Sequence, residues 1–285
     1  MPLKHAIMRL CFLGFPVQGI FILIDIFLYC VVFGVISGVI SGLIGVGGGI
    51  VIVPFLAWLL AHNGMPVETI MQTAIATSLA TIIVTSITSV LAQHRRGAIM
   101  WPIVKTLTPG IAVGAWFGAD LAHFLSSQML AMIFGTYLLL NGTRMAFNPK
   151  TKPHRQLPGI FPLTLTGGVF GALSTLIGIG GGTITVPYMI WHNIPMTKAI
   201  ALGSACGLPI AIFGVIGFII IGSHAENLPP YNIGYINIPA FLGISISSLF
   251  SATLGVHLSH KIPTGILKKI FSVILIVVGI KMLLG

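Results

Sequence analysis

Ser41-Gly42-Leu43-Ile44-Gly45-Val46-Gly47-Gly48-Gly49, followed by Pro54, recurs as Ser174-Thr175-Leu176-Ile177-Gly178-Ile179-Gly180-Gly181-Gly182, followed by Pro187. Each stretch interrupts a run free of Asp, Glu, Lys and Arg, residues 26–67 and 156–197. As one continuous helix either run would be about 63 Å long at ~1.5 Å per residue, roughly twice the ~30 Å hydrocarbon core of a bilayer. Each run must therefore turn or break. Consecutive glycines carry the largest backbone entropy cost in a helix and accept positive φ, so the breaks are expected there.

The rest of the chain has the same character. Of 285 residues 56% are hydrophobic and 6% charged, with a mean hydropathy of +1.06, which excludes a soluble domain. The net charge is +10. Its basic residues fall in short connectors between apolar runs, a pattern of membrane topology and not of nucleic-acid binding. Cys11, Cys30 and Cys206 lie in apolar stretches without CxxC spacing, which excludes a zinc site or a disulfide framework. No HExxH, GxSxG or paired intramembrane acid supports an enzyme, and four acidic residues in all make a poor cation path.

The two glycine stretches are offset by 133 positions, and matching continues beyond them. Pro66 matches Pro195. Further on the offset becomes 137, pairing Phe134 with Phe271, Gly142 with Gly279, and Arg144-Met145 with Lys281-Met282. The expected fold is an all-α polytopic membrane protein with glycine-broken helices. It is built of two inverted repeats of about five transmembrane segments each, residues 12–147 and 159–284, joined by a basic cytoplasmic linker, 148–158. The segments are expected at 15–44, 50–61, 70–92, 101–124 and 127–147, then 160–178, 183–193, 197–222, 234–258 and 264–284. An odd number per repeat requires inversion, and the charges agree: the loop at Arg95 and Arg96 is basic, whereas its counterpart from His224 to Tyr231 holds Glu226 and no Lys or Arg. Placing Arg95, Arg96, Lys105, Lys150, Lys152, Arg155, Lys198 and Lys261 in the cytoplasm leaves both termini outside, against which Lys4, Arg9 and Lys281 count. The apolar N-terminus lacks a small-residue cleavage pattern and is read as retained.

Unwound backbone at membrane depth is tolerated only where protein buries it or a watery cavity solvates it. Helices restarting after Gly47, Gly48 and Gly49, and after Gly180, Gly181 and Gly182, would turn unpaired N–H groups and positive dipole ends toward a shared site suited to an anion. Gly34, Gly38 and Gly42 have the spacing of close helix packing. Gln72, Thr73, Thr77 and Ser78, with Asn193, Thr197, Lys198 and Ser204 in the second half, are the nearby polar groups; Gln72, Thr77, Ser78, Asn193 and Ser204 are the candidate substrate donors. The competing reading is that such hydroxyls bond their own i−4 carbonyl. Asp25 and Asp120, the latter aligned with His257, are candidates for proton or ion coupling, set against a plain interfacial position. Trp58, Trp101, Trp116 and Trp191 fall near segment ends, as interfacial anchors do.

Ile44 to Pro54 and Ile177 to Pro187, each in the frame IGxGGG, an apolar stretch and Pro, resemble the paired signature of the TauE/SafE family, the sulfite exporter TauE/SafE-like permeases. The resemblance covers nearly the whole chain in length, segment number and duplication. It implies a bacterial plasma-membrane permease for small sulfur-containing anions such as sulfite, thiosulfate or organosulfonates, coupled to an ion gradient. The partners expected are that anion, membrane lipid and a coupling ion such as a proton; no cofactor, metal or nucleic acid is expected, and a homo-oligomer stays open. The alternative is a transporter or channel for another small organic or inorganic anion.

Overall fold

The computed structural model describes residues 17–44, 48–147, 156–225, 228–229, 231–259 and 264–284. Gly45 to Gly47, the connector 148–155, Glu226, His260 and Lys261 lie outside them. The described chain forms ten α-helices: α1 Val17–Ile44, α2 Gly49–His62, α3 Ile70–Arg95, α4 Trp101–Phe124, α5 Ser127–Phe147, α6 Ile160–Ile177, α7 Gly182–Trp191, α8 Met196–Gly222, α9 Ile238–Ser259 and α10 Thr264–Leu284. Their ends follow local chemistry. Pro102 opens α4 within its first turn, where its missing N–H costs nothing. Gly178, at φ +73°, closes α6 in the left-handed conformation with its N–H on the Ser174 and Thr175 carbonyls. Four helical segments among the described residues, within α1, α3, α6 and α8, are long and apolar enough to cross a bilayer. The protein is an all-α membrane protein.

Four of the main helix pairings in the bundle are α1 with α9, α4 with α6, α3 with α8, and α5 with α10. The first two are parallel and made through small residues. Gly34 and Gly38 take Ile244 and Ser248, so a Cβ on either would come within 2.9 or 2.8 Å of the opposing Cα. Gly114 and Gly118 take Gly168 and Ala172 in the same rising order. Backbones this close leave room for one interhelical hydroxyl bond at each crossing, Ser251 Oγ to the Gly34 carbonyl and Thr164 Oγ1 to the Thr106 carbonyl. The other two pairings are antiparallel: Leu79 meets Gly214 while Ser86 meets Gly207, and Gly135 meets Leu283 while Gly142 meets Ile276.

Helix α3 is the centre, buried without interruption from Ile70 to Ile82, as a helix surrounded by others must be. Outer helices instead expose large apolar side chains such as Val32, Phe117, Phe161 and Phe250, which lipid covers. Trp58, Trp101, Trp116 and Trp191 are all 38–50% exposed. One element departs from expectation. Helix α9 does not start at 234, because a two-stranded antiparallel hairpin, β1 Asn232–Ile233 and β2 Ile236–Asn237, turns there at Gly234, φ +54°. Asn237 ends the hairpin by bonding Asn232 Oδ1 through Nδ2 and then accepts the Ala240 N–H, capping α9.

Candidate functional site

Gly49, at the described end of the first glycine stretch, meets the second stretch against α3. Between α6 and α7 the chain is non-helical from Gly178 to Gly181, and a Cβ on Gly49, the first residue of α2, would lie 2.7 Å from the Gly178 carbonyl oxygen. Ser78 stands between them. Its hydroxyl donates to that same carbonyl at 2.9 Å and lies 3.2 Å from the Gly49 Cβ position, with Ile82 alongside. Neither α2 nor α7 has a side-chain cap on its N-terminus, so the first-turn N–H groups lack side-chain acceptors. In α2, Gly48 contributes only its carbonyl, to the N–H groups of Val51 and Ile52. Gly181 packs on the backbone of α8 at Gly203 and Gly207, while Gly180 faces only the Ile82 side chain, Cγ2 at 3.4 Å. Gly47 lies outside the described residues.

The other expected polar residues scatter. Gln72 is engaged by the α4–α5 corner: its amide donates to the Leu125 carbonyl at 2.9 Å and accepts from Ser127 Oγ at 2.9 Å. Thr77 accepts the Asn237 N–H at 3.0 Å, tying α3 to the hairpin. Ser204 bonds its own helix at the Ile200 carbonyl. Asn193 is exposed at the far end of α7, in left-handed conformation at φ +63°, and Thr197 and Lys198 are exposed beside it. Asp25 is exposed on α1 and Asp120 half-buried on α4. The side chain of His257 lies outside the described residues.

Sequence reasoning passed over four hydroxyls. Ser174, Thr175, Thr183 and Thr185, flanking the Gly178–Gly181 segment, each have a buried oxygen without a hydrogen-bond partner. A buried hydroxyl without a partner costs about 1–3 kcal/mol, which a ligand or water at this place would offset. The available signal was the repeat itself, because Thr183 and Thr185 stand where the first half has Ile50 and Ile52. On the side of α3 held by Thr77, Tyr235 of the hairpin pairs with His123 Nδ1 at 2.8 Å. Burial pushes the hydroxyls of Tyr231 and Tyr235 above the ordinary tyrosine value, keeping both neutral at physiological pH. A surface cavity of about 330 Å³ beside them, lined mainly by Leu23, Ile233, Ile238 and Leu242, touches neither glycine stretch. No group of three potential metal ligands occurs among the described residues.

Known proteins agree with a transport role. The sulfite exporter TauE/SafE family matches residues 30–282. A probable membrane transporter protein of Haemophilus influenzae is 36% identical over 90% of this chain and 98% of its own length. One from Methanocaldococcus jannaschii is 30% identical over 85% and 90%, and one from Bacillus subtilis 26% identical over 90% and 97%. No solved structure matches. With apolar spanning helices and a match of this extent, the chain belongs to the sulfite exporter TauE/SafE family and is a multi-pass bacterial membrane transporter.

Proposed function

We propose that this transporter is a secondary permease for small sulfur-containing anions such as sulfite, thiosulfate or organosulfonates, working by alternating access about the meeting point of the two glycine stretches. The observation that carries the reading is the contact of Gly49 with the Gly178 carbonyl across Ser78, which brings the uncapped start of α2 onto the non-helical turn that leads into the uncapped start of α7. Gly47, Gly48, Gly49, Gly180, Gly181 and Gly182 form the site in this reading, with Ser78 and Ser204 beside them; Gln72, Thr77 and Asn193 hold the scaffold. Repeats at 12–147 and 159–284, joined by 148–158, are inverted. The antiparallel packing of the equivalent helices α3 with α8 and α5 with α10 supports this, as a two-fold axis in the membrane plane requires it. A divalent anion leaving a negative-inside cell gains about 4.6 kcal/mol per 100 mV, so export needs no coupling, while uptake would draw on Asp25 or Asp120.

Gly48 and Gly180 offer the test, because the nearest atoms to their Cβ positions are side-chain carbons, Ile52 Cδ1 at 3.1 Å and Ile82 Cγ2 at 3.4 Å, with the Ser37 carbonyl of α1 at an ordinary 3.6 Å from the former. Gly48→Leu and Gly180→Leu, purified and shown folded by melting and size exclusion, are expected to lose most thiosulfate and sulfite flux in proteoliposomes. Full flux in both would refute the site. Saturable flux of a carboxylate alone would keep the permease and change its substrate.

A further inference from the structure

Polarity breaks the symmetry of the two halves at one place. Tyr137, Asn141 and Arg144 occupy positions i, i+4 and i+7 of α5 and so share one face. Their counterparts on α10, at the offset of 137, are Ile274, Val278 and Lys281. The Tyr137 hydroxyl faces Thr183 in the first turn of α7, and Asn141. Both the Tyr137 and the Thr183 hydroxyls are buried, yet neither forms a hydrogen bond of acceptable geometry. Thr183 in turn answers to Ile50. Aliphatic residues at the equivalent places of the other half show that the architecture does not need hydroxyls there. Two adjacent donors without partners at a helix start describe a place for an acceptor that is not part of the chain.

Depth agrees. Tyr137 lies ten residues before the end of α5 at Phe147, roughly 15 Å at ~1.5 Å per residue, and α7, 10 residues long, places Thr183 at a similar distance from its own end. Arg144, three residues before Phe147, is exposed and pairs with no carboxylate among the described residues. Asn141 sits between, with its amide Nδ2 on the Tyr137 carbonyl at 2.9 Å.

Resting on the permease reading above, we infer that Tyr137 and Thr183 form an oxyanion subsite beside the α7 helix start. Arg144 draws the anion onto the α5 face that leads to it. The site is thereby asymmetric: hydroxyls stand at the start of α7 and on α5, where the equivalent places on α2 and α10 carry Ile50 and Ile274. A fully oxygenated group, sulfite, sulfonate or the sulfonyl end of thiosulfate, offers the several acceptors that two hydroxyls and the helix N–H groups can meet.

The test separates affinity from stability. Tyr137→Phe and Thr183→Val remove one hydroxyl each. They are expected to raise the half-saturating thiosulfate concentration in proteoliposome uptake about tenfold or more, the effect of a lost hydrogen bond to a charged group. In the absence of anion the melting temperature of each should stay level or rise, since an unsatisfied donor has gone. Thr183→Ser is expected to keep wild-type affinity, and Arg144→Gln to weaken uptake most at low ionic strength. Unchanged half-saturation in Tyr137→Phe and Thr183→Val would overturn the subsite while leaving the glycine site intact, provided Gly180→Leu still abolishes flux. A loss in Thr183→Ser equal to that in Thr183→Val would assign the effect to packing and overturn it equally. If wild-type protein shows neither saturable uptake nor a thermal shift with thiosulfate, sulfite or sulfoacetate, the permease reading and the subsite fall together.

Discussion

Gly178 carries two constraints in one residue. Its φ of +73° lies in the left-handed region, and a Cβ there would stand 3.0 Å from the Ile75 Cα. The left-handed conformation costs an L-residue about 1–2 kcal/mol, and overpacking against backbone adds about 1–3 kcal/mol. Gly97, at φ +64°, has nothing within 4 Å and carries the first cost alone. Gly178→Ala should therefore lower the melting temperature in detergent clearly more than Gly97→Ala. Equal losses would show that the approach of α3 to the glycine stretch is loose. That Gly178 is exceptional was legible in the sequence, since it sits in a doubled glycine motif. That it accepts from Ser78 was not, because the two are a hundred positions apart and only folding brings them together.

At the scale of elements, helix bounds follow the spacing of charges, glycines and prolines closely. The segments expected at 101–124, 127–147 and 264–284 are α4, α5 and α10 residue for residue. The hairpin before α9 was missed, since the two short strands bonded to α3 and to each other carry no periodicity long enough to register. Gln72 shows the limit on the polar side. A glutamine opening an apolar helix reads as functional, yet its amide closes the α4–α5 corner through Leu125 and Ser127. Gln72→Leu is expected to cost about 1–3 kcal/mol for each group left unsatisfied and to leave the half-saturating anion concentration unchanged. A shift in half-saturation without loss of stability would return Gln72 to the binding site.

Across the whole molecule, α1 pairs with α9 and α4 with α6 in parallel, while α3 with α8 and α5 with α10 are antiparallel, the contacts that the proposed inversion of the halves requires. If the halves are inverted, the turn at Arg96 and the start of α8 at Lys198 face the cytoplasm, and the hairpin at Ile233 faces outward. Single cysteines at these positions, all exposed, in a background lacking Cys11, Cys30 and Cys206, are expected to divide accordingly. An impermeant maleimide added to intact cells should label Ile233→Cys alone, and Arg96→Cys and Lys198→Cys only after lysis. Labelling of all three from outside would contradict inversion.

The sequence by itself determined that the chain resides in a membrane, where most of its described helices start and stop, and that a glycine segment separates α6 from α7, because these depend on composition and local backbone cost. Only the tertiary structure decided that Gly49 and the Gly178–Gly180 segment abut on one face of α3, that Gln72 and Thr77 serve neighbouring elements, and that Tyr137 looks onto Thr183. Contacts between distant segments are set by which small residues let backbones approach, and that choice is made by all the helices together.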